Sequence, residues 1–195
     1  MNKIVEILNN YNINGFNFDG GTDKASEHSY DTYYSEVLKD YQDKDIRLME
    51  IGVQYGGSIL LWDKFFSKCK MVLIDNVNIV HPKIWDLINK DNYDFLIKDA
   101  FTDSIIEELM LEYEGGFDVI IEDGPHTLES QIFAIKNYSK LLKPNGILII
   151  EDIQKYEYCD IIINEINKEE FKSVEIVDLR NNKNRYDDIL IVVKK

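Results

Sequence analysis

The sequence predicts an α/β fold, a mostly parallel sheet with helices on both faces, and three observations carry that prediction. First, short apolar runs alternate with stretches of helical periodicity between Ile46 and Ile150, the pattern in which each helix carries the chain back to start another parallel strand. Second, the stretch Leu48-Met49-Glu50-Ile51-Gly52-Val53-Gln54-Tyr55-Gly56-Gly57-Ser58 reads as a buried strand, a glycine-permitted tight turn and the start of an apolar helix. Third, two apolar runs at 171–179 and 189–193 flank a polar segment at 180–188, short enough for a closing antiparallel hairpin.

Taken in order, residues 3–10 predict an amphipathic helix with Ile4, Ile7 and Leu8 on one face, a lid or a dimer element. The polar stretch 12–29 holds Gly20-Gly21-Thr22-Asp23-Lys24 and His28-Ser29-Tyr30. A loop of that length inside a compact domain points to function. Asp31 is the expected cap of a helix reaching Tyr41, with Tyr33 and Tyr34 as core packing. Strands are expected at 46–51, 70–74, 93–97, 117–121 and 147–150, and helices at 84–88, 105–111, 128–142 and 161–166. Lys143-Pro144-Asn145-Gly146 is the expected stop after the long helix. The expectation is one domain over 1–195, with 1–45 a helical and loop lid and 46–195 the Rossmann-like core.

The chain has 195 residues, 45% of them hydrophobic, enough for a sizeable core. Its 22 Lys and Arg against 36 Asp and Glu give a formal charge of -14, which repels phosphate backbones and anionic lipid, so neither nucleic acid nor membrane is an expected partner. No apolar run approaches the roughly 20 residues of a membrane span. Glu6 interrupts the start where a signal peptide is apolar, so a cytoplasmic location is expected. Cys69 and Cys159 lack metal-type spacing and read as reduced thiols.

In an open α/β sheet, ligands sit outside the carboxyl ends of the strands, and this chain places acids there. Glu50 ends the first strand; a carboxylate at that tip repels a pyrophosphate and suits a cationic ligand. Gln54 stands where a dinucleotide fingerprint wants glycine. Both point to S-adenosylmethionine, a sulfonium with no phosphate, seated by Glu50, Gly52, Gln54, Gly56 and Ser58. Asp75 lies some 20 residues beyond the turn, the separation of a ribose-binding acid. Asp99 and Ala100 follow the third strand and border the adenine, although Asp99 is equally readable as a helix cap.

The catalytic signal is Glu122-Asp123-Gly124-Pro125-His126 together with Glu151-Asp152. Adjacent strands lie about 4.8 Å apart, so acids at the ends of the fourth and fifth strands can share a cation. An oxygen set suits Mg²⁺ or Mn²⁺, not zinc. Asp123 and Asp152 are the expected ligands; Glu151 joins them only if the strand stops between it and Asp152. His126, three residues after Asp123 across a tight turn, is the expected general base.

These segments resemble the class I S-adenosylmethionine-dependent methyltransferases. Gly21-Thr22-Asp23-Lys24, His28-Ser29-Tyr30, Tyr33-Tyr34 and Asp123-Gly124-Pro125-His126 resemble, more narrowly, the metal-dependent sugar O-methyltransferases of macrolide biosynthesis (the mycinamicin and demethylmacrocin type) and their relatives in polysaccharide clusters. The resemblance implies a seven-stranded sheet whose last strand is antiparallel, Mg²⁺ on Asp123, Glu151 and Asp152, and His126 as base. It also implies that Thr22, Asp23 and Lys24 lie near the amino-acid end of the donor or near the substrate. The expected acceptor is a hydroxyl of a small sugar or sugar nucleotide, and a homo-oligomer is allowed. Rival readings are methyl transfer to a phenol or catechol, and a non-catalytic nucleotide-binding subunit. Arg180 and Arg185 meet an anionic acceptor on one reading and form surface ion pairs on the plainer one.

Overall fold

The computed structural model describes residues 2–15, 19–88 and 90–195; Met1, residues 16–18 of the long polar stretch and Asn89 lie outside the described residues. In chain order the elements are α1 (Lys3–Asn10), α2 (Tyr30–Val37), β1 (Asp45–Ile51), α3 (Gly57–Phe65), β2 (Lys68–Asp75), α4 (Pro82–Leu87) and β3 (Tyr93–Ile97). There follow α5 (Asp103–Glu112), β4 (Phe117–Glu122), α6 (Leu128–Tyr138), β5 (Leu142–Ile150), α7 (Tyr156–Ile163), β6 (Ser173–Asp178), a single turn α8 (Arg180–Lys183) and β7 (Ile189–Lys194).

The strands form one seven-stranded sheet in the order β3-β2-β1-β4-β5-β7-β6. The first five are parallel, and β7 runs antiparallel to both β5 and β6. The predicted terminal hairpin is therefore present. Successive strand residues face opposite ways, and here both faces are covered. Leu48, Leu73, Ile121 and Ile149 pack with α1 to α4 on one side, while Met49, Ile74, Ile120 and Leu148 pack with α5 to α7 on the other. Burial on both faces is why these strands read as continuous apolar runs rather than alternating ones.

The order of strands reverses between β1 and β4, which pair from Leu48 with Val119 to Ile51 with Glu122. Above that point two glycines permit backbone contacts that a side chain would block. A Cβ on Gly52 would lie 1.8 Å from the Asp123 carbonyl oxygen, and one on Gly57 would lie 2.2 Å from Gly21. The first brings the turn after β1 against the end of β4; the second lets the 19–24 segment lie across the start of α3.

Several predicted boundaries move. The helix expected over 128–142 ends at Tyr138, followed by a 3-10 turn at Ser139–Leu141. Leu142 already pairs with Phe117, and a register shift carries Lys143-Pro144-Asn145 into the head of β5; Asn145 sits at φ 63°. The expected stop is thus part of the strand. The helix expected over 161–166 is displaced to Tyr156–Ile163, because Cys159, Ile162 and Ile163 form its buried stripe. Ser29, not Asp31, precedes α2, and that helix passes at Leu38 into the 3-10 turn Lys39–Tyr41.

Candidate active site

The carboxyl ends of β1 to β5 form one rim. On its β1–β3 side is a cavity of about 400 Å³ lined by Gly52, Gln54, Asp75, Asp99, Ala100 and Asp123 among others, in the size range of small-molecule sites. A shallow polar cleft continues from it past Thr22, Gln54, Ser58, Asp123, His126 and Asp152. A larger cavity, about 650 Å³, lies between α2 and the head of β5, lined by Glu36, Asp40, Lys44, Lys172, Glu175 and Lys194 among others. It contains none of the strand-end acids, so we place the chemistry in the smaller one.

In the first cavity the acids serve the backbone. Asp75 Oδ2 accepts from the amides of Val53 (2.9 Å) and Gln54 (3.0 Å), and Oδ1 from Val77 (3.2 Å). The residue predicted to hold a ribose therefore also pins the turn. Asp99 lines the cavity while its Oδ1 accepts from the Phe101 amide at 2.9 Å. Ala100 is buried, and its carbonyl accepts from the Tyr138 hydroxyl at 2.6 Å.

Three donor-site predictions need correction. The Glu50 carboxylate does not face the cavity; it is fully buried and accepts from Ser58 Oγ (2.9 Å) and Trp62 Nε1 (3.1 Å). Burial, opposed by the charge of Lys24, pushes its acid up to about 7. The Ser58 hydroxyl is thereby committed to Glu50, although its residue borders the cleft. Gly56 packs toward Val80 and Ile84 and lines neither cavity nor cleft. Strand alternation explains the direction of Glu50, since the last residue but one of β1 points into the α3 side of the sheet, and Ser58 follows as its partner.

The β4 and β5 ends are organised by side chains. His126 Nε2 lies 3.7 Å from Asp123 Oδ1 and 3.6 Å from Asp152 Oδ2, and one ligand atom from each of these three residues falls within a 4.8 Å cluster. Glu151, predicted as a third metal ligand, lies outside that cluster. Both its oxygens contact Lys24 Nζ (2.6 and 2.8 Å), and Oε1 also accepts from the Tyr34 hydroxyl. Lys24 reaches Asp123 Oδ2 as well, at 2.8 Å. Only 1% exposed, Lys24 lines neither cavity nor cleft, whereas Thr22 and Asp23 border the cleft.

Sequence reasoning missed the support of Asp152. Its Oδ1 accepts from the Tyr30 hydroxyl at 2.5 Å and lies 3.3 Å from His28 Nδ1, which is 2.6 Å from Asp188 Oδ1. The His28 and Tyr30 rings stack with centroids 4.7 Å apart. Of the tyrosines expected in the core, Tyr34 is buried and Tyr33 only partly so; Tyr30 is buried too, and Tyr30 and Tyr34 each spend their hydroxyl on a rim acid. Burial and the Asp123 charge push Asp152 up to about 8, while burial lowers His126 below its usual 6.5.

Backbone strain marks the same place. Apart from asparagines, the non-glycine residues at positive φ among the described residues are Gln54 (44°), His126 (54°) and Asp152 (56°). Such conformations persist only where the surroundings enforce them, often at functional sites. At Asp152 the turn is what lets consecutive acids, Glu151 and Asp152, both reach the rim.

The fold, a mostly parallel sheet with an antiparallel β7 and a cavity at the strand-order reversal, is the Rossmann-like fold of solved methyltransferases. Solved structures agree: MycE methyltransferase from the mycinamycin biosynthetic pathway, in complex with Mg and S-adenosylhomocysteine, superposes with a TM-score of 0.71 at 17% identity over 98% of this chain and 54% of its own. More particularly, the chain is similar to curated O-methyltransferases. It is 25% identical over 136 residues to demethylmacrocin O-methyltransferase of Streptomyces fradiae, covering 66% of this chain and 33% of that protein. It is 24% identical over 144 residues to the 8-demethyl-8-alpha-L-rhamnosyl tetracenomycin-C 2'-O-methyltransferase of Streptomyces olivaceus, covering 69% and 35%. The chain thus spans about a third of the length of these curated relatives. No family model matches it.

Proposed function

We propose that this protein transfers the methyl group of S-adenosylmethionine to a hydroxyl of an uncharged sugar or glycoside, with a divalent cation in attendance. The observation that carries the reading is the convergence of His126 Nε2 with Asp123 Oδ1 and Asp152 Oδ2 at 3.6–3.7 Å, beside a cavity that shares Gly52, Gln54 and Asp123 with the cleft.

The residues fit a divalent ion. Two carboxylates and an imidazole present ligand atoms within 4.8 Å of one another, and burial together with the Asp123 charge raises Asp152, a penalty that a bound cation would offset. Asp123 and Asp152 would hold it, and it would supply positive charge that makes a nearby hydroxyl more acidic. His126, kept neutral by burial, is the proton acceptor when Asp123 and Asp152 alone hold the ion. The hydroxyl proton passes to its imidazole nitrogen, an O–CH₃ bond forms as the S–CH₃ bond breaks, and the sulfonium leaves as a neutral thioether. Asp75 and Gly52 keep the donor side in register, which favours in-line geometry.

The acceptor is proposed to be uncharged because both arginines of the 180–188 segment are already paired with acids. Arg180 forms a fork with Asp178 (2.9 and 2.7 Å). Arg185 pairs with Asp187 at 3.0 Å and Glu27 at 3.7 Å. A diphosphate would meet Asp23, Asp123 and Asp152 at the cleft instead.

The test is S-adenosylhomocysteine release from S-adenosylmethionine and Mg²⁺ with a panel of macrolide glycosides, methyl 6-deoxyhexosides, sugar nucleotides and catechols. Product from the uncharged glycosides, suppressed by EDTA and by His126→Ala, is expected. Product only from catechols, or donor binding with no product from any acceptor, would overturn the reading.

A further inference from the structure

We propose that the buried pair His28 and Asp188 positions Asp152: together with Tyr30 it holds Oδ1 of that acid inward, so that Oδ2 is the oxygen presented to the cleft and to a divalent ion. The inference rests on the divalent ion of the preceding section and adds which distant residues make Asp152 ready to meet it.

Asp152 needs outside support. β5 ends at Ile150, and Asp152 lies beyond it at φ 56°, a conformation that a non-glycine residue keeps only where its surroundings enforce it. Two side-chain amides hold its backbone: Gln131 Nε2 and Gln154 Nε2 donate to the Asp152 carbonyl at 3.3 and 3.1 Å. The carboxylate is held separately. Its Oδ1 accepts from the Tyr30 hydroxyl and lies 3.3 Å from His28 Nδ1, whereas Oδ2 faces His126 Nε2 at 3.6 Å on the cleft side.

His28 can act on Asp152 because Asp188 fixes its ring. His28 Nδ1 is 2.6 Å from Asp188 Oδ1, and a ring nitrogen set between two carboxylate oxygens must carry its hydrogen. Stacking on Tyr30 sets the plane of the ring. The segments that bear the pair are locked together: Lys183 Nζ donates to the carbonyls of Ala25, Ser26 and His28 at 2.6, 2.9 and 2.8 Å. As a mere fastening the pair would be a poor one. His28 is 1% and Asp188 0% exposed, and His28 Nε2 and Asp188 Oδ2 have no hydrogen-bond partner among the described residues. Apolar side chains of similar volume would join the segments without those unmet groups. An orienting contact behind a metal-binding carboxylate accounts for the polar choice.

The experiment is titration of the whole protein with Mn²⁺, read by the electron paramagnetic resonance signal of the free ion, with S-adenosylhomocysteine calorimetry as a check of folding. Tyr30→Phe and His28→Leu should each weaken Mn²⁺ by about 10–100-fold, while affinity for S-adenosylhomocysteine stays within about threefold. His28→Asn keeps a donor in the place of Nδ1 and gives up the bulk of the ring, so it should recover most of the loss seen in His28→Leu. A packing role predicts the reverse order, because leucine preserves apolar bulk. Asp188→Asn should weaken Mn²⁺ by roughly threefold to tenfold, and should add less than twofold to the loss in His28→Leu because it acts through His28.

Mn²⁺ affinity unchanged in His28→Leu would overturn the proposal, and so would His28→Leu binding as tightly as His28→Asn. If His28→Leu fails to fold, Asp188→Asn decides, and a change of less than twofold there would overturn the proposal. Absence of Mn²⁺ binding to the unaltered chain would overturn the metal reading and this inference together. Absence of methyl transfer with the predicted Mn²⁺ pattern would overturn only the activity.

Discussion

The two halves of the rim use acids in opposite ways. On the β1–β3 side the carboxylates are satisfied by nearby chain: Asp75 by amides at 53, 54 and 77, Asp99 by the amide of 101, Glu50 by side chains at 58 and 62. On the β4–β5 side they are satisfied from afar, Asp123 and Glu151 by Lys24, Glu151 by Tyr34, and Asp152 by Tyr30. The first half is a locally encoded seat that needs only its strand and turn. The second is assembled from segments about a hundred residues apart, and its charge balance exists only in the folded chain.

That contrast makes separable predictions. The largest effect belongs to the distant half. His126→Ala should lower turnover by about 10²–10⁴-fold, and Asp123→Ala should also abolish it, while calorimetric affinity for S-adenosylhomocysteine stays within about threefold. Loss of donor affinity in His126→Ala would erase the division between the halves. Next, Asp75→Ala should weaken the donor by roughly 10–100-fold through lost charge-assisted hydrogen bonds, yet leave Mn²⁺ binding unchanged.

Glu50 tests the buried acid of the local half through stability. Its folded value of about 7 lies above the ordinary 4.5, so the folded state holds the proton more tightly. Stability from this group is therefore lost as pH rises from 4.5 toward 7 and is level above that. Glu50→Gln lacks the decline. Compared by urea unfolding at pH 4.5 and pH 7.5, the variant should gain on the unaltered protein by about 1–3 kcal/mol. Parallel curves would show that Glu50 ionises normally. The smallest effect is expected at Arg185→Ala, which should leave the KM for an uncharged glycoside unchanged, since that guanidinium already serves Asp187 and Glu27; a raised KM would place it in the acceptor site.

Legibility followed the same line. The β1 turn was readable because Gly52, Gln54 and Asp75 are close in sequence and their geometry follows from strand, turn and helix. Asp123, His126 and Asp152 were readable as candidates because parallel strands bring their ends together. The direction of Glu50 was misjudged because at a strand tip one residue of offset exchanges cavity for core. The displaced α7 and the altered end of α6 were set by which apolar stripe met the sheet, a choice that periodicity leaves open.

By itself the amino-acid sequence determined the alternating architecture, the antiparallel closure and the acids along one rim, since apolar period, glycine position and strand-end chemistry are local properties. Only the tertiary structure decided which acid meets which cation. Lys24 lies 99 residues from Asp123 and 127 from Glu151, and the partner of a buried charge is chosen by the packing that brings distant segments together, a choice no spacing along the chain can fix.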